Sequence, residues 1–329
     1  MKGSAVSVVF TSPGEVKLLG EAEASRHPTP TEIWGRTVVS LVSSGTELAM
    51  FSGANPPPYP FYPGYAALFE AEQVGSEIDD VSPGNLILCL GPHRSCQLVE
   101  RNQAVVVPDG LTPEVAVLAR IISIAFTSLQ FVKARPGEEV LVLGLGLVGN
   151  LASQVFRACG YRVKGYDTNA SRRRLAESFD IEVLSDLDEL SREEILPALV
   201  LECSGTSAGF QNSCRFVRTG GEVVLVGVPP KVDDNKTCSI LHEVFCRQLT
   251  ITSGLEWRLP LFAPTPESAS IIRNMKTALD WLLQSRISTE GIAKSVSPFQ
   301  VAHAFASLHS QVGPLSYIFD WREAHDSHA

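Results

Sequence analysis

The run Gly144-Leu145-Gly146-Leu147-Val148-Gly149 follows directly on Glu139–Leu143 (EVLVL) and opens a stretch patterned as a helix. A strand without polar alternation is one covered on both faces, as in a parallel sheet. A G-x-G-x-x-G turn between such a strand and a helix is a dinucleotide-binding turn. Each glycine has its own reason: Gly144 permits the tight turn, Gly146 lets a pyrophosphate approach the backbone, and Gly149 lets helix and strand pack closely. Leu147 and Val148 open the helix, whose positive end faces the phosphates. The plain alternative, a turn without a ligand, gives no reason for the acidic residue 23 positions after Gly144, at Asp167.

Asp167 ends the segment RVKGYD, where a carboxylate accepts both hydroxyls of an adenosine ribose and repels a 2'-phosphate. The expected cofactor is therefore NAD. Arg172, Arg173 and Arg174 follow closely and offer a place for a 2'-phosphate, so NADP stays open; their ordinary reading is a solvated helix face.

The remaining composition bounds the partners. A chain of 329 residues exceeds one ordinary core and predicts two domains. A net charge of -9 offers no basic stripe for a phosphate backbone, which excludes nucleic acid as the expected partner. The longest nearly uninterrupted apolar run is read as 140–149, too short to cross a bilayer, and the first residues lack the apolar length of a signal peptide. The expectation is a cytoplasmic protein without a membrane segment. Seven cysteines with no C-x-x-C pair indicate neither a disulfide framework nor a cysteine-rich zinc site, and each is read as a small buried hydrophobe.

The texture changes along the chain. Residues 1–120 carry short β-like runs (5–10, 37–42, 85–90, 104–107) separated by Pro and Gly clusters. Residues 121–255 alternate apolar strands with helices: Glu139–Leu143, Arg162–Tyr166, 198–202 and 222–228, which is βαβ repetition and hence a parallel sheet. Residues 256–329 carry a helix at 268–284, a segment 294–298, a helix at 299–309 and an apolar ending at 315–319 that reads as a last strand, and are expected to return to the first domain. Residues 231–236 read as a surface loop and 324–329 as a frayed end.

Short matches spread over nearly the whole chain resemble the medium-chain dehydrogenase/reductase superfamily, on its zinc alcohol and polyol dehydrogenase branch. They are Ser44-Gly45-Thr46-Glu47 for that family's C-G-T-D and Pro63-Gly64-Tyr65 for its G-H-E. Val81 to Asn85 stands for its G-D turn, and Arg135-Pro136-Gly137-Glu138 leads into GLGLVG. Further on come Glu202-Cys203-Ser204-Gly205, Thr219-Gly220-Gly221 and Val226-Gly227-Val228-Pro229. The resemblance implies an α/β protein: a GroES-like β-barrel catalytic domain plus a Rossmann doubly wound parallel sheet, with the active site in the cleft between them. It also implies that Ser204, Gly227, Val228 and Ser253 line the nicotinamide, their ordinary reading being strand-end packing. A homodimer is expected, with the strand 222–228 near the sheet edge that pairs.

The chain departs from the family where that family holds metal. The positions of the catalytic zinc ligands carry Ser44, Tyr65, Ala66 and Ala119, and the lobe of four cysteines is missing. A hydroxyl, a phenol and methyl groups are not a tetrahedral zinc donor set, so no metal is expected. A side chain must then handle the proton. Tyr65 is the first candidate, against a packing tyrosine in the vacant site; His93 is the second, against a surface histidine; Ser44 and Thr46 would relay by hydrogen bonds. Glu47 reads as a helix-start residue in a capping box with Ser43 or Ser44. Position 316, where the family commonly has an arginine on the pyrophosphate, carries Ser316.

The expected activity is a zinc-independent, NAD(H)-dependent oxidoreductase acting on a carbonyl or alcohol of a small or ring-containing metabolite. The run from Ser43 to Tyr65 is similar to bacteriochlorophyllide dehydrogenases and to sugar or cyclitol dehydrogenases of secondary metabolism. The aromatics Tyr59, Phe61, Tyr62 and Tyr65 read as a wall for a bulky ring or as a loop core. Two alternatives stay open: an NADPH-dependent enoyl or quinone-type C=C reductase, and a dinucleotide-binding protein without catalysis.

Overall fold

The computed structural model describes residues 5–21, 27–228, 237–265 and 268–326. The expected loop at 231–236, Pro229 of the matched run, and the last three residues of the expected frayed end lie outside them, whereas Arg322–Asp326 form a short helix rather than a frayed end. The chain divides into two compact units, one of Met1–Arg120, Pro260–Ser285 and Thr289–Ala329, the other of Ile121–Leu259 and Arg286–Ser288.

The first unit begins with an antiparallel pair, β1 (Ala5–Ser12) and β2 (Glu15–Glu21). Five further strands follow: β3 (Glu32–Leu41), β4 (Ala67–Val74), β5 (Leu86–Cys89), β6 (Cys96–Glu100) and β7 (Val105–Val106). The second unit holds β8 (Glu139–Leu143), β9 (Arg162–Tyr166), β10 (Glu182–Val183), β11 (Leu199–Glu202), β12 (Glu222–Leu225) and β13 (Thr250–Ser253). The chain then returns to the first unit with β14 (Ala293–Val296) and β15 (Ser316–Asp320).

In the first unit a mixed, mostly antiparallel sheet runs β14-β15-β3-β4-β5-β7, with β6 also on β3. Its faces are apolar because β3 and β4 bury Ile33, Val39, Leu41, Leu68 and Phe69. A second cluster joins Phe10, Phe51, Phe305 and Phe319 with Trp321. Tyr59 and Phe61 pack on that cluster. The Tyr59 hydroxyl donates to the Met50 carbonyl at 2.7 Å, so these two aromatics build a loop core and not an open wall; of the four, Tyr62 is the exposed one.

The second unit is a six-stranded sheet, parallel throughout, of order β10-β9-β8-β11-β12-β13. Counted from β8 this is 3-2-1-4-5-6, so the direction of winding reverses between β8 and β11, where open α/β sheets bind ligands. The strand expected near the edge, 222–228, is internal: β12 sits between β11 and β13, and the edge belongs to β13. Its sequence, TITS, carries no apolar run, so periodicity did not mark it as a strand.

Pro113–Phe131 is a 19-residue helical stretch of mean hydropathy 1.5, longer than the apolar run found by eye in the sequence, and 67% of its most apolar window is buried in the protein as in a core helix. Among the described residues Cys89, Cys96 and Cys214 are free and buried as expected, Cys159 and Cys203 are free and half-buried, and Cys246 is free and exposed. Burial pushes the Cys89 thiol up to about 12.

Candidate active site

The carboxyl ends of the parallel strands gather the predicted dinucleotide residues along one edge of the second unit. Gly144 leaves β8 at φ +94°, a region L side chains rarely adopt, and a Cβ there would come within 2.6 Å of the Ser204 nitrogen after β11. A Cβ at Gly149 would run into the Gly144 carbonyl oxygen, so that glycine is required by close packing. At Gly146 the nearest obstacle to a Cβ is the Arg172 guanidinium at 3.9 Å, leaving an open cradle over the N-terminus of the helix Leu147–Ala158. Open space, free backbone N–H groups and a positive helix end are what a pyrophosphate needs.

Asp167 follows β9 and is buried. Its Oδ2 accepts the Leu145 N–H at 2.8 Å and its Oδ1 accepts the Asn169 N–H at 2.8 Å. The carboxylate thus ties the glycine turn to its own loop while keeping lone pairs for a ribose diol. Arg172 and Arg173 are half-buried and reach Asp167, whereas Arg174 is exposed. Arg172 Nη1 stands 3.4 Å from Asp167 Oδ2, and Arg173 donates to the Asp167 carbonyl at 2.6 Å.

Beyond β11, Glu202 organises the next loop, a role sequence reasoning did not assign to it. It accepts from the Ser204 N–H at 2.9 Å, from the Gly205 N–H at 3.1 Å, and from the Ser204 hydroxyl. Burial raises its carboxyl above the usual range, opposed by those hydrogen bonds. The carbonyl of the same residue accepts from the N–H groups of Val226 (2.9 Å) and Gly227 (2.8 Å), which joins the loops after β11 and β12. Val228 is 47% exposed at that edge, and Ser253 ends β13 with its hydroxyl accepting the Leu255 N–H at 3.2 Å. Ser316 lies elsewhere: it is buried in the first unit, donating to the Val42 carbonyl at 2.5 Å.

The first unit assembles the predicted proton-handling residues differently from expectation. The half-buried Tyr65 donates its phenolic hydrogen to Ser43 Oγ at 2.5 Å, a hydroxyl the sequence reading did not single out as its partner. Glu47 does open the helix Thr46–Phe51, and its Oε1 accepts the Ser43 N–H at 2.8 Å, but the helix has no side-chain cap, so only half of a capping box forms. Its other oxygen stands 2.9 Å from His93 Nε2.

His93 is not a surface histidine: it is fully buried, with both ring nitrogens engaged. Nδ1 stands 2.8 Å from Ser40 Oγ, which also accepts the Trp321 indole N–H at 2.9 Å. A carboxylate facing Nε2 assigns the hydrogen to that nitrogen; in the neutral ring the Ser40 hydroxyl then donates to Nδ1. Backbone contacts close the circuit, since the His93 N–H donates to the Pro63 carbonyl at 2.9 Å and Gly64 turns at φ +106° against that same nitrogen.

Arg120, absent from the sequence reading, completes the surroundings of Tyr65. Its Cζ stands 4.8 Å from the phenol centroid. One signal for it existed: a lone arginine inside the apolar run VAVLARIISIAF is a charge that burial tolerates only with partners.

Comparison with known proteins places the chain. Residues 148–257 match the family described as zinc-binding dehydrogenase. The chain is 30% identical to L-galactonate-5-dehydrogenase of Escherichia coli K12 over 128 residues, 36% of this chain and 38% of that protein. It is 23% identical to human sorbitol dehydrogenase over 287 residues, 73% and 79% of the two chains. Galactitol-1-phosphate dehydrogenase of Escherichia coli shares the fold with a TM-score of 0.82 at 19% identity, covering 96% of this chain and 99% of that one. An NAD complex of acetophenone reductase from Geotrichum candidum reaches 0.79 at 17%, covering 97% and 98%.

The chain is thus similar to zinc-type medium-chain alcohol and polyol dehydrogenases.

The zinc in that family's name was tested against the residues present. The side chains around Tyr65 offer a serine hydroxyl, a phenol and a guanidinium, with Ala66 and Ala119 buried beside them in sequence. Among the described residues no group of three or more His, Cys, Asp or Glu side chains gathers where it could hold a metal. Zinc takes deprotonated nitrogen, sulfur or carboxylate donors, and the donor set at Tyr65 does not fit it.

Proposed function

We propose that the protein is an NAD(H)-dependent oxidoreductase that interconverts a carbonyl and an alcohol without zinc, with Tyr65 as the proton donor. The observation that carries this reading is the switch-point edge, where the open cradle at Gly146 and the buried Asp167 carboxylate lie beside the turn that Gly144 begins. The relatives support the chemical class, and the misfit between zinc and the residues around Tyr65 supports the metal-free variant. A soluble small-molecule enzyme, working in the cytoplasm as a homodimer, is part of the proposal.

When bound, NADH supplies a hydride to the substrate's carbonyl carbon. The residues of the second unit bind and orient it: the backbone N–H groups at Leu147 and Val148 receive the pyrophosphate and Asp167 the ribose diol, while Ser204, Gly227, Val228 and Ser253 border the nicotinamide. As negative charge develops on the carbonyl oxygen, Tyr65 transfers its phenolic proton there, and water reprotonates the phenolate. Ser43 fixes the phenol, Glu47 fixes Ser43, and His93 fixes Glu47. Substitution of Tyr65 by Phe removes the proton without the ring.

Titration of the purified protein with NADH and with NADPH, by nicotinamide fluorescence in EDTA, is the direct test. NADH binding that survives chelation, with turnover of carbonyl or alcohol substrates lost at least 100-fold in Tyr65→Phe, is the expected result. Preferred NADPH binding would assign the phosphate to Arg172 to Arg174 and favour C=C reduction. Tight binding with no turnover in the wild type would indicate a dinucleotide-binding protein without catalysis.

A further inference from the structure

A guanidinium with no exposed surface is uncommon unless partnered, and Arg120 is fully buried at the second position of the helix Ala119–Phe131. Its Nε–H donates to the main-chain carbonyl of Tyr65 at 3.1 Å, and its Cζ stands 4.8 Å from the ring centroid of that same residue. Both contacts go to one residue, so the guanidinium is tied to the main chain of Tyr65 and faces its ring. The phenolic oxygen is held from another side by Ser43 at 2.5 Å.

We propose that Arg120 is a positioning and electrostatic partner of Tyr65, which it holds in place and whose phenolate it stabilises after proton transfer. The inference rests on Tyr65 as the proton donor, as proposed above. When the phenolic O–H bond breaks and the proton goes to the substrate oxygen, the electron pair stays on Tyr65 Oη and its charge spreads into the ring. Toward the neutral phenol, Arg120 makes only a cation–quadrupole contact; toward the phenolate, it becomes a charge–charge contact in a water-poor site. An interaction that strengthens as the charge develops accelerates the step. Ser43, an acceptor toward the phenol, is able to donate to the phenolate.

Glu47 and His93 are titratable groups connected to the phenol through Ser43. They engage each other at 2.9 Å, and Glu47 also takes the Ser43 N–H at 2.8 Å, so the carboxylate is hydrogen-bonded at both oxygens before its field reaches Tyr65.

Spectrophotometric titration of tyrosinate in the full chain tests the pairing without any substrate. The difference between wild type and Tyr65→Phe isolates the Tyr65 transition; the same difference is then taken in Arg120→Gln and Arg120→Lys backgrounds. The expected midpoint rises by about one pH unit in Arg120→Gln and by less in Arg120→Lys, which keeps the charge but loses the planar fork. Circular dichroism selects the variants that fold; should Arg120→Gln fail to fold, the smaller rise in Arg120→Lys decides. An unmoved midpoint in a folded variant overturns the pairing. An active Tyr65→Phe enzyme would instead sink the proton-donor reading, so the two failures are told apart.

Discussion

His93 and Glu47, 46 residues apart in the chain, meet with Nε2 2.9 Å from Oε2 at a place where the two side chains are 0% and 1% exposed. The sequence offered a titratable histidine and a helix-start glutamate as separate features. Folding turns them into one buried strut behind Tyr65.

Glu47→Ala leaves the His93 Nε2–H and the Ser43 N–H without an acceptor. Breaking a buried hydrogen-bonded pair by removing one member costs about 3–5 kcal/mol. Differential scanning calorimetry should show the melting temperature of the Glu47→Ala chain falling by roughly 6–12 °C. Turnover should fall with it, because Ser43 no longer has a fixed place, while NADH affinity stays as in the wild type. An unchanged melting temperature would show that the strut carries no stability.

Gly146 and Gly149 separate binding from folding. A Cβ at Gly149 meets a backbone carbonyl, whereas one at Gly146 meets open space up to the Arg172 guanidinium at 3.9 Å. Gly149→Ala should lower the melting temperature; Gly146→Ala should leave it unmoved yet weaken NADH binding at least 10-fold, about 1.4 kcal/mol, by keeping the pyrophosphate off the backbone. Fluorescence titration beside a thermal melt reads both, and undiminished affinity in Gly146→Ala would remove the phosphates from that cradle.

Asp167→Ser removes the carboxylate that repels a 2'-phosphate and leaves Arg172 unpaired beside the gap. The ratio of NADH to NADPH affinity should fall at least 10-fold, about 1.4 kcal/mol. Melting should also shift down a little because Leu145 loses its acceptor at 2.8 Å. A ratio that does not change would detach Asp167 from the ribose.

Glu202 ties the stability of the second unit to pH. Burial raises its native pKa above the ordinary carboxylate range, so the native state holds the proton more tightly than the unfolded chain does. The stability it contributes is complete below the unfolded pKa and is lost as pH rises through the raised native one. Thermal melts of wild type and Glu202→Gln between pH 4 and 7 should therefore show the wild type losing ground to the variant as pH rises. The opposite trend would mean that the hydrogen bonds from Ser204 and Gly205 outweigh burial.

Two parts of the protein were legible in its residues. The glycine turn could be read because its constraints are local: a positive φ at Gly144, a close approach at Gly149 and an acidic residue one strand later all follow from chain geometry within a few tens of residues. The central strand Glu139–Leu143 stood out for the same reason, since an uninterrupted apolar run is itself the mark of a strand buried on both faces. Short strands such as Thr250–Ser253 carry no such mark, and the edge of the sheet was assigned one strand too early.

The sequence alone determined the parallel sheet, through its βαβ repetition, and the glycine turn between Glu139–Leu143 and the helix that follows. Only the tertiary structure decided which of the serines meets Tyr65, that His93 is a strut and not a surface group, and that Arg120 lies over the phenol. Those contacts join residues 22, 46 and 55 positions apart. Which of several equally polar side chains meets which is fixed by how segments distant in the chain pack together, and periodicity in the chain carries no record of that.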